Sequence, residues 1–197
     1  MNAVARKVTA LLGTALTAAA VLVALSGTAA NASDATPDNG TIQTGSAENL
    51  SSDQLALLES DQLKRISIDP ATGNVTAVQP MTSAELRAEI SAATAKPGGI
   101  QPFSVGTNCS LNATPCWYGV APAVNYSFSS GITDGTWTNR KNFWTGTNFF
   151  AKLCWLDPFG GAFPATICMP ERNGPNAWIE LGYAVTGKKA DVSITRG

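Results

Sequence analysis

The sequence predicts an all-β fold: a small antiparallel, Greek-key-like sandwich or barrel with two disulfides, preceded by a small α+β segment. Three observations support this prediction. Short alternating segments separated by Gly, Pro and Asn turns fill the last ninety residues, four cysteines lie in a chain that opens with an export signal, and composition changes sharply near residue 107.

About six or seven short strands are predicted between residues 108 and 197. "ADVSITR" alternates strictly between apolar and polar residues, and "AWIELGYAV" places Leu181 and Tyr183 on one apolar face. Gly187 and Lys188 stand where a hairpin to the final strand would turn. The other strand candidates are "VNYSF", "NFFAKLCW" and the segments 115–120, 135–139 and 165–169.

The first 32 residues have the pattern of a signal peptide. Arg6 and Lys7 precede an uncharged apolar run at 8–25, and Ala30-Asn31-Ala32 fits a small-residue cleavage site. A membrane anchor is the alternative, but the run is short and interrupted by glycine and threonine. We therefore expect a secreted, extracellular protein that has no membrane association after cleavage.

Export makes disulfides the expected state of the four cysteines, Cys109, Cys116, Cys154 and Cys168. A structural zinc site needs short paired spacings, which these cysteines lack, and the chain has no histidine. No metal or cofactor is therefore expected. Three pairings are open, of which Cys109 with Cys116 and Cys154 with Cys168 is the most local.

Composition divides the chain into regions. Residues 33–107 hold nine acidic and four basic side chains and one aromatic, whereas 108–197 hold five acidic and seven basic side chains and every Trp and Tyr. Ser51 with Gln54 and Thr82 with Glu85 form capping boxes that predict two helices around a β-hairpin. The predicted regions are a signal peptide at 1–32, a disordered linker at 33–50, a helix-hairpin-helix unit at 51–96, a linker at 97–107 and the disulfide-stapled β domain at 108–197.

The helix-hairpin-helix unit has few large apolar residues, so we expect it to be marginal by itself. It is either an acidic pro-segment that is removed by cleavage in the 97–107 linker or a permanent spacer. Opposite net charges steer encounters between the regions without establishing that they dock.

Catalysis is not expected, since without histidine no Ser/His or Cys/His arrangement can form. A glycosidase pair would have to come from the five carboxylates of the β domain, and ordinary strand or turn positions explain all of them except Glu171. No phosphate loop or clustered basic strip is present, so nucleic acid is not an expected partner.

Binding is the function class that the residues favour. The segment 136–150 interleaves aromatic rings with polar and basic groups, so it could stack on sugars or anchor a protein partner, unless its rings are the core of the domain. The loop 156–177 could project rigidly, as in a protease inhibitor, or be a long stapled connection. The candidate ligand-binding residues are Trp137, Arg140, Lys141, Trp144, Phe159, Glu171 and Arg172.

Several segments resemble small secreted β proteins of actinobacteria, namely "SIDPATGNV", "CSLNATPCWYG", "GTWTNRKNFWTG" and "VTGKKADVSITRG". Some of those proteins adopt βγ-crystallin-like Greek-key folds, and they include protease inhibitors and toxin-like proteins. Trp144-Thr145-Gly146 supplies the end of the crystallin signature, but Asn139 stands where its first aromatic belongs. The sequence also has no acidic-rich Ser-Ser calcium clamp, so calcium is not carried over.

The sequence as a whole predicts a secreted, non-enzymatic binding domain for an extracellular or cell-wall ligand, either a glycan or a protein. A protease inhibitor that uses the 156–177 loop is the second hypothesis, and an antimicrobial or toxin-like effector is the third.

Overall fold

Two helices and nine strands lie within the residues that the computed structural model describes, which are 41–94, 106, 109, 114–120 and 124–196. The predicted signal peptide and most of the 97–107 linker lie outside these residues. In chain order the elements are β1 (Ile42–Thr44), α1 (Ser52–Glu59), β2 (Lys64–Ile68), β3 (Val75–Pro80), α2 (Ser83–Thr94), β4 (Cys116–Gly119), β5 (Tyr126–Ser127), β6 (Gly131–Trp144), β7 (Phe150–Leu156), β8 (Thr166–Cys168) and β9 (Ala177–Ser193).

Both helices begin at the predicted capping boxes. The amide of Gln54 donates to Ser51 Oγ at 3.3 Å, while Gln54 Oε1 accepts from the Ser51 amide at 3.1 Å. The Thr82 amide donates to Glu85 Oε2 at 2.7 Å in the second box. These reciprocal bonds satisfy amides that have no partner inside a helix. Neither helix is long and apolar enough to cross a membrane, so the described residues contain no candidate membrane span.

Strand β9 lies at the centre of the sheet. The hydrogen-bonded order is β1-β8-β7-β9-β6-β4-β5, and β2 pairs with both β3 and β9. Along one side β9 is paired with β6, whereas along the other side its first residues pair with β2 and its last residues pair with β7. On that second side, the partner of β9 therefore changes along its length from β2 to β7, which is where the sheet divides.

The all-β class is confirmed, and the sheet is mixed rather than purely antiparallel. Pairs within β4–β9 are antiparallel, as predicted, whereas β1 with β8 and β2 with β9 are parallel. Both parallel strands come from the acidic N-terminal region. Because they join from a distant part of the chain, no tight turn constrains them to run antiparallel.

The predicted hairpin at Gly187 is wrong, because β9 continues through that position. Gly187 pairs with Trp137 of β6 and with Trp155 of β7. A Cβ atom there would lie 2.7 Å from Cζ3 of Trp117, so glycine is needed for close packing against the indole rather than for a turn.

Residues 42–44, within the segment predicted to be disordered, form β1. The amide of Thr166 donates to the Thr41 carbonyl at 3.0 Å, and the amide of Gly45 donates to the Cys168 carbonyl at 2.9 Å. This pairing covers part of the β8 edge, whose backbone groups would otherwise lack partners.

The N-terminal hairpin shares its core with the C-terminal strands. Ile66 is fully buried and lies in one cluster with Trp155 and Ile179. The hairpin therefore obtains from β9 the apolar partners that it lacks by itself.

Lys64 fastens the start of β2 to the loop before β9. Its fully buried ammonium donates to the carbonyls of Ser60, Gln62 and Pro175, the last at 3.4 Å. Burial lowers the pKa of Lys64 to about 8. A cation enclosed by backbone carbonyls has a structural role.

Both disulfides have the most local pairing, Cys109 with Cys116 and Cys154 with Cys168. The second joins residues that lie directly opposite each other on β7 and β8. It therefore clamps the base of the loop 157–165 that connects these strands.

Candidate functional site

The aromatic-rich segment 136–150 forms core rather than a binding surface. Trp137 is 6 % exposed and Trp144 is 1 % exposed, which corrects their prediction as ligand-binding residues. The Trp137 ring centroid lies 5.1 Å from that of Phe128 and 5.9 Å from that of Trp117. Because the domain has few large aliphatic side chains, its indoles fill the interior.

Arg140 is also buried, so its prediction as a ligand-binding residue is wrong. Its Nε donates to the Thr138 carbonyl at 2.9 Å, and its Nη1 donates to the carbonyls of Trp117 and Val124. The guanidinium carbon lies 4.8 Å from the Tyr126 ring centroid, and burial lowers the pKa of Arg140 to about 10. The guanidinium holds β4, β5 and β6 together. Lys141, next to it, is half-buried.

The predicted 156–177 loop is interrupted by β8, so it does not project as one surface. Arg172 Nη2 donates to both carboxylate oxygens of Asp191 at 2.9 Å, which ties it to β9. Glu171 is exposed beside it. Phe159 lies in the shorter loop at 157–165 and is 63 % exposed.

Phe159 and Tyr183 together form an exposed aromatic surface. Their ring centroids are 5.3 Å apart with planes inclined at 47°, and Tyr183 is 55 % exposed. They border an open cleft of about 410 Å³, a volume within the range of small-ligand sites. We call it the aromatic cleft; its lining residues are Ser67, Ile68, Asp69, Pro70, Thr76, Phe159, Glu180, Leu181, Gly182 and Tyr183.

A bulge in β9 turns Tyr183 outward, which corrects its prediction as a core-facing residue. Arg140 pairs with Val185 while Asn142 pairs with Glu180, so β9 holds three more residues than β6 over this stretch. Gly182 has φ +67°, in the left-handed region that favours glycine. Glycine inside a strand pattern often marks a bulge, so Gly182 was a signal that the sequence offered.

The aromatic cleft lies where β9 changes partners. Glu180 is the last residue that pairs with β2, and Thr186 is the first that pairs with β7. Between those residues neither β2 nor β7 pairs with β9, which leaves a gap beside the bulge. The topology of the sheet thus accounts for the opening.

Both regions of the chain build this cleft. Residues 67–70 and Thr76 come from the N-terminal hairpin, whereas Phe159 and residues 180–183 come from the C-terminal strands. Trp155 Nε1 donates to the Pro70 carbonyl at 2.7 Å and fastens the hairpin turn to β7. This bond fixes the hairpin turn against the wall that carries Phe159.

Two carboxylates supply the charge of the cleft. Asp69 Oδ1 accepts from the Ala71 amide and Oδ2 from the Thr72 hydroxyl, both at 2.9 Å. Glu180 Oε1 accepts from Trp178 Nε1 at 3.1 Å and lies 3.4 Å from Nη1 of Arg65. The cleft thus combines apolar rings with hydrogen-bond acceptors.

Metal-binding clusters of His, Cys, Asp or Glu are absent from the described residues. Comparison of the chain with family models, curated proteins and solved structures found no match.

Proposed function

We propose that this chain is a secreted, non-enzymatic binding protein that holds a glycan of the extracellular space or cell wall on the aromatic cleft. The observation that carries the proposal is the Phe159–Tyr183 pair, two touching rings that remain largely exposed in a domain whose other rings are mostly buried. Exposed aromatic faces beside hydrogen-bonding groups suit the apolar face and hydroxyls of a sugar.

Export is supported by the predicted signal peptide and by two disulfides, which persist in oxidising compartments. The working protein in this proposal keeps its N-terminal hairpin. Asp69, Pro70 and Thr76 line the cleft, so removing residues 33–107 as a pro-segment would remove one wall of it.

Alanine variants of the two rings test the proposal. F159A and Y183A should each weaken retention on immobilised cell-wall polysaccharides by about fivefold or more, because truncating a contact ring costs more than about 1 kcal/mol of binding free energy. F163A is the matched control, since Phe163 lies in the same loop, is 96 % exposed and does not line the cleft. Unchanged retention in both ring variants contradicts the proposal.

A protease inhibitor is the second candidate, and one observation favours it. Among the residues that the structure describes, Phe163 is the most exposed large apolar side chain, and it lies in a loop whose ends the Cys154–Cys168 disulfide clamps. Such pre-organisation lowers the entropy lost on binding. In this case F163A, rather than Y183A, would abolish inhibition of a protease that prefers aromatic residues.

A further inference from the structure

The walls of the aromatic cleft carry negative charge without a basic residue among them. Asp69 and Glu180 are the charged lining residues. Arg65 forms ion pairs with both Glu180 and Glu89. Its Nη2 lies 2.8 Å from Glu89 Oε1, whereas its Nη1 lies 3.4 Å from Glu180 Oε1. One guanidinium thus faces two carboxylates.

Asp69 has no basic partner at all within the described part of the chain. Its two oxygens accept hydrogen bonds from the neutral groups of Ala71 and Thr72, which orient the carboxylate without compensating its charge. Together with the partly compensated Glu180, it gives the lining of the cleft a net negative charge. An anionic polymer would be repelled here, whereas a ligand with positive charges would be attracted.

The rings narrow the choice of ligand further. Because the Phe159 and Tyr183 centroids are only 5.3 Å apart, the rings touch and leave no slot for a group to enter between them. They present a continuous, tilted apolar face to solvent. A pyranose ring can lie on such a face and place its substituents toward the carboxylates at the rim.

We infer that the aromatic cleft binds an oligosaccharide that carries free amino groups, with the sugar rings on Phe159 and Tyr183 and an ammonium group near Asp69. This inference rests on the proposed function and specifies its ligand class. N-acetylation of the same oligosaccharide removes the charge and leaves the ring face unchanged, so it isolates the electrostatic contribution.

The test compares chitosan oligosaccharides with fully N-acetylated chitin oligosaccharides of equal length, titrated into the full secreted chain by calorimetry. The chitosan oligomer should bind about fivefold more tightly or better, and the difference should shrink as salt rises. D69N should remove most of this difference in affinity because it removes the negative charge. The turn should stay intact, since the amide oxygen of the new side chain can still accept from the Ala71 amide. D134N is the control, since Asp134 is exposed on β6 and does not line the cleft.

Each other outcome overturns the inference. Equal binding of the two oligomers that is lost in Y183A leaves the proposed function standing and refutes the ligand class. Absence of binding by both refutes the ligand class, and the polysaccharide retention of Y183A then decides the proposed function separately. An oligolysine of matching charge that binds as tightly as the chitosan oligomer shows recognition of cations without a sugar.

Discussion

Replacement of Ile66 by alanine tests whether the N-terminal hairpin belongs to the core on which the C-terminal strands depend. Ile66 is fully buried on β2, opposite Ile179 of β9 in the parallel ladder. The change deletes three carbons, and at about 0.8 kcal/mol per buried carbon the transfer contribution alone is about 2.4 kcal/mol. The cavity left behind adds to this, within a range of about 2–5 kcal/mol for such substitutions.

Trp fluorescence during urea unfolding measures how Ile66→Ala changes the stability of the C-terminal strands. All five tryptophans lie between Trp117 and Trp178, so the signal reports on the C-terminal strands while the substitution lies in the N-terminal hairpin. With a urea dependence of about 2 kcal/mol per molar, a loss of about 2.4 kcal/mol lowers the midpoint by about 1.2 M. Ile132→Ala, at a 63 % exposed position on β6, is the control and should change the midpoint little.

The reasoning fails if Ile66→Ala leaves the midpoint of the tryptophan transition where it is in the unaltered protein. In that case the hairpin would unfold independently, as a spacer or a removable pro-segment would. A second, earlier transition detected by circular dichroism but not by fluorescence would lead to the same conclusion.

Three further substitutions test interior contacts. Burial lowers the pKa of Lys64 from 10.5 to about 8, so between these pH values Lys64 keeps its proton only in the unfolded chain. The unfolding free energy should therefore rise with pH over this range, and Lys64→Met should flatten that rise when urea titrations are repeated across it. Arg140→Ala should cost more than about 2 kcal/mol in thermal unfolding because buried carbonyls lose their donor, while Lys141→Ala should change little. Gly187→Ala should lower the unfolding free energy by about 1–3 kcal/mol, because the added Cβ clashes with the Trp117 indole. Gly174→Ala is the control, since its nearest contact would lie at 3.5 Å. Equal urea midpoints for the two variants would contradict the packing explanation.

Local signals in the sequence were sufficient for the helices, the disulfides and most strands. Ser51 with Gln54 predicted the start of α1, and an even number of cysteines in a chain with a predicted export signal predicted two disulfides. Such features depend on neighbours within a few residues or on the compartment. The pairing of β2 with β9 depends on contacts between residues more than a hundred positions apart, which alternation alone does not specify.

The candidate site was harder to predict for the same reason. Trp137 and Phe159 are both aromatic residues among polar and glycine neighbours, yet one is buried and the other is exposed. Which ring faces solvent depends on how the sheet divides at β9. Tyr183 shows the difficulty most clearly, because the bulge at Gly182 reverses the side that strict alternation assigns to it.

The position of β9 in the chain order has a consequence for folding during the export that the sequence predicts. Strands β2, β6 and β7 all precede their shared partner β9, and β2 precedes it by more than a hundred residues. A chain that crosses a membrane from its N-terminus therefore cannot complete its sheet until β9 has followed, and contacts of such long sequence separation form slowly. During that predicted export, the sheet would stay incomplete until β9, the last strand of the described chain, has crossed.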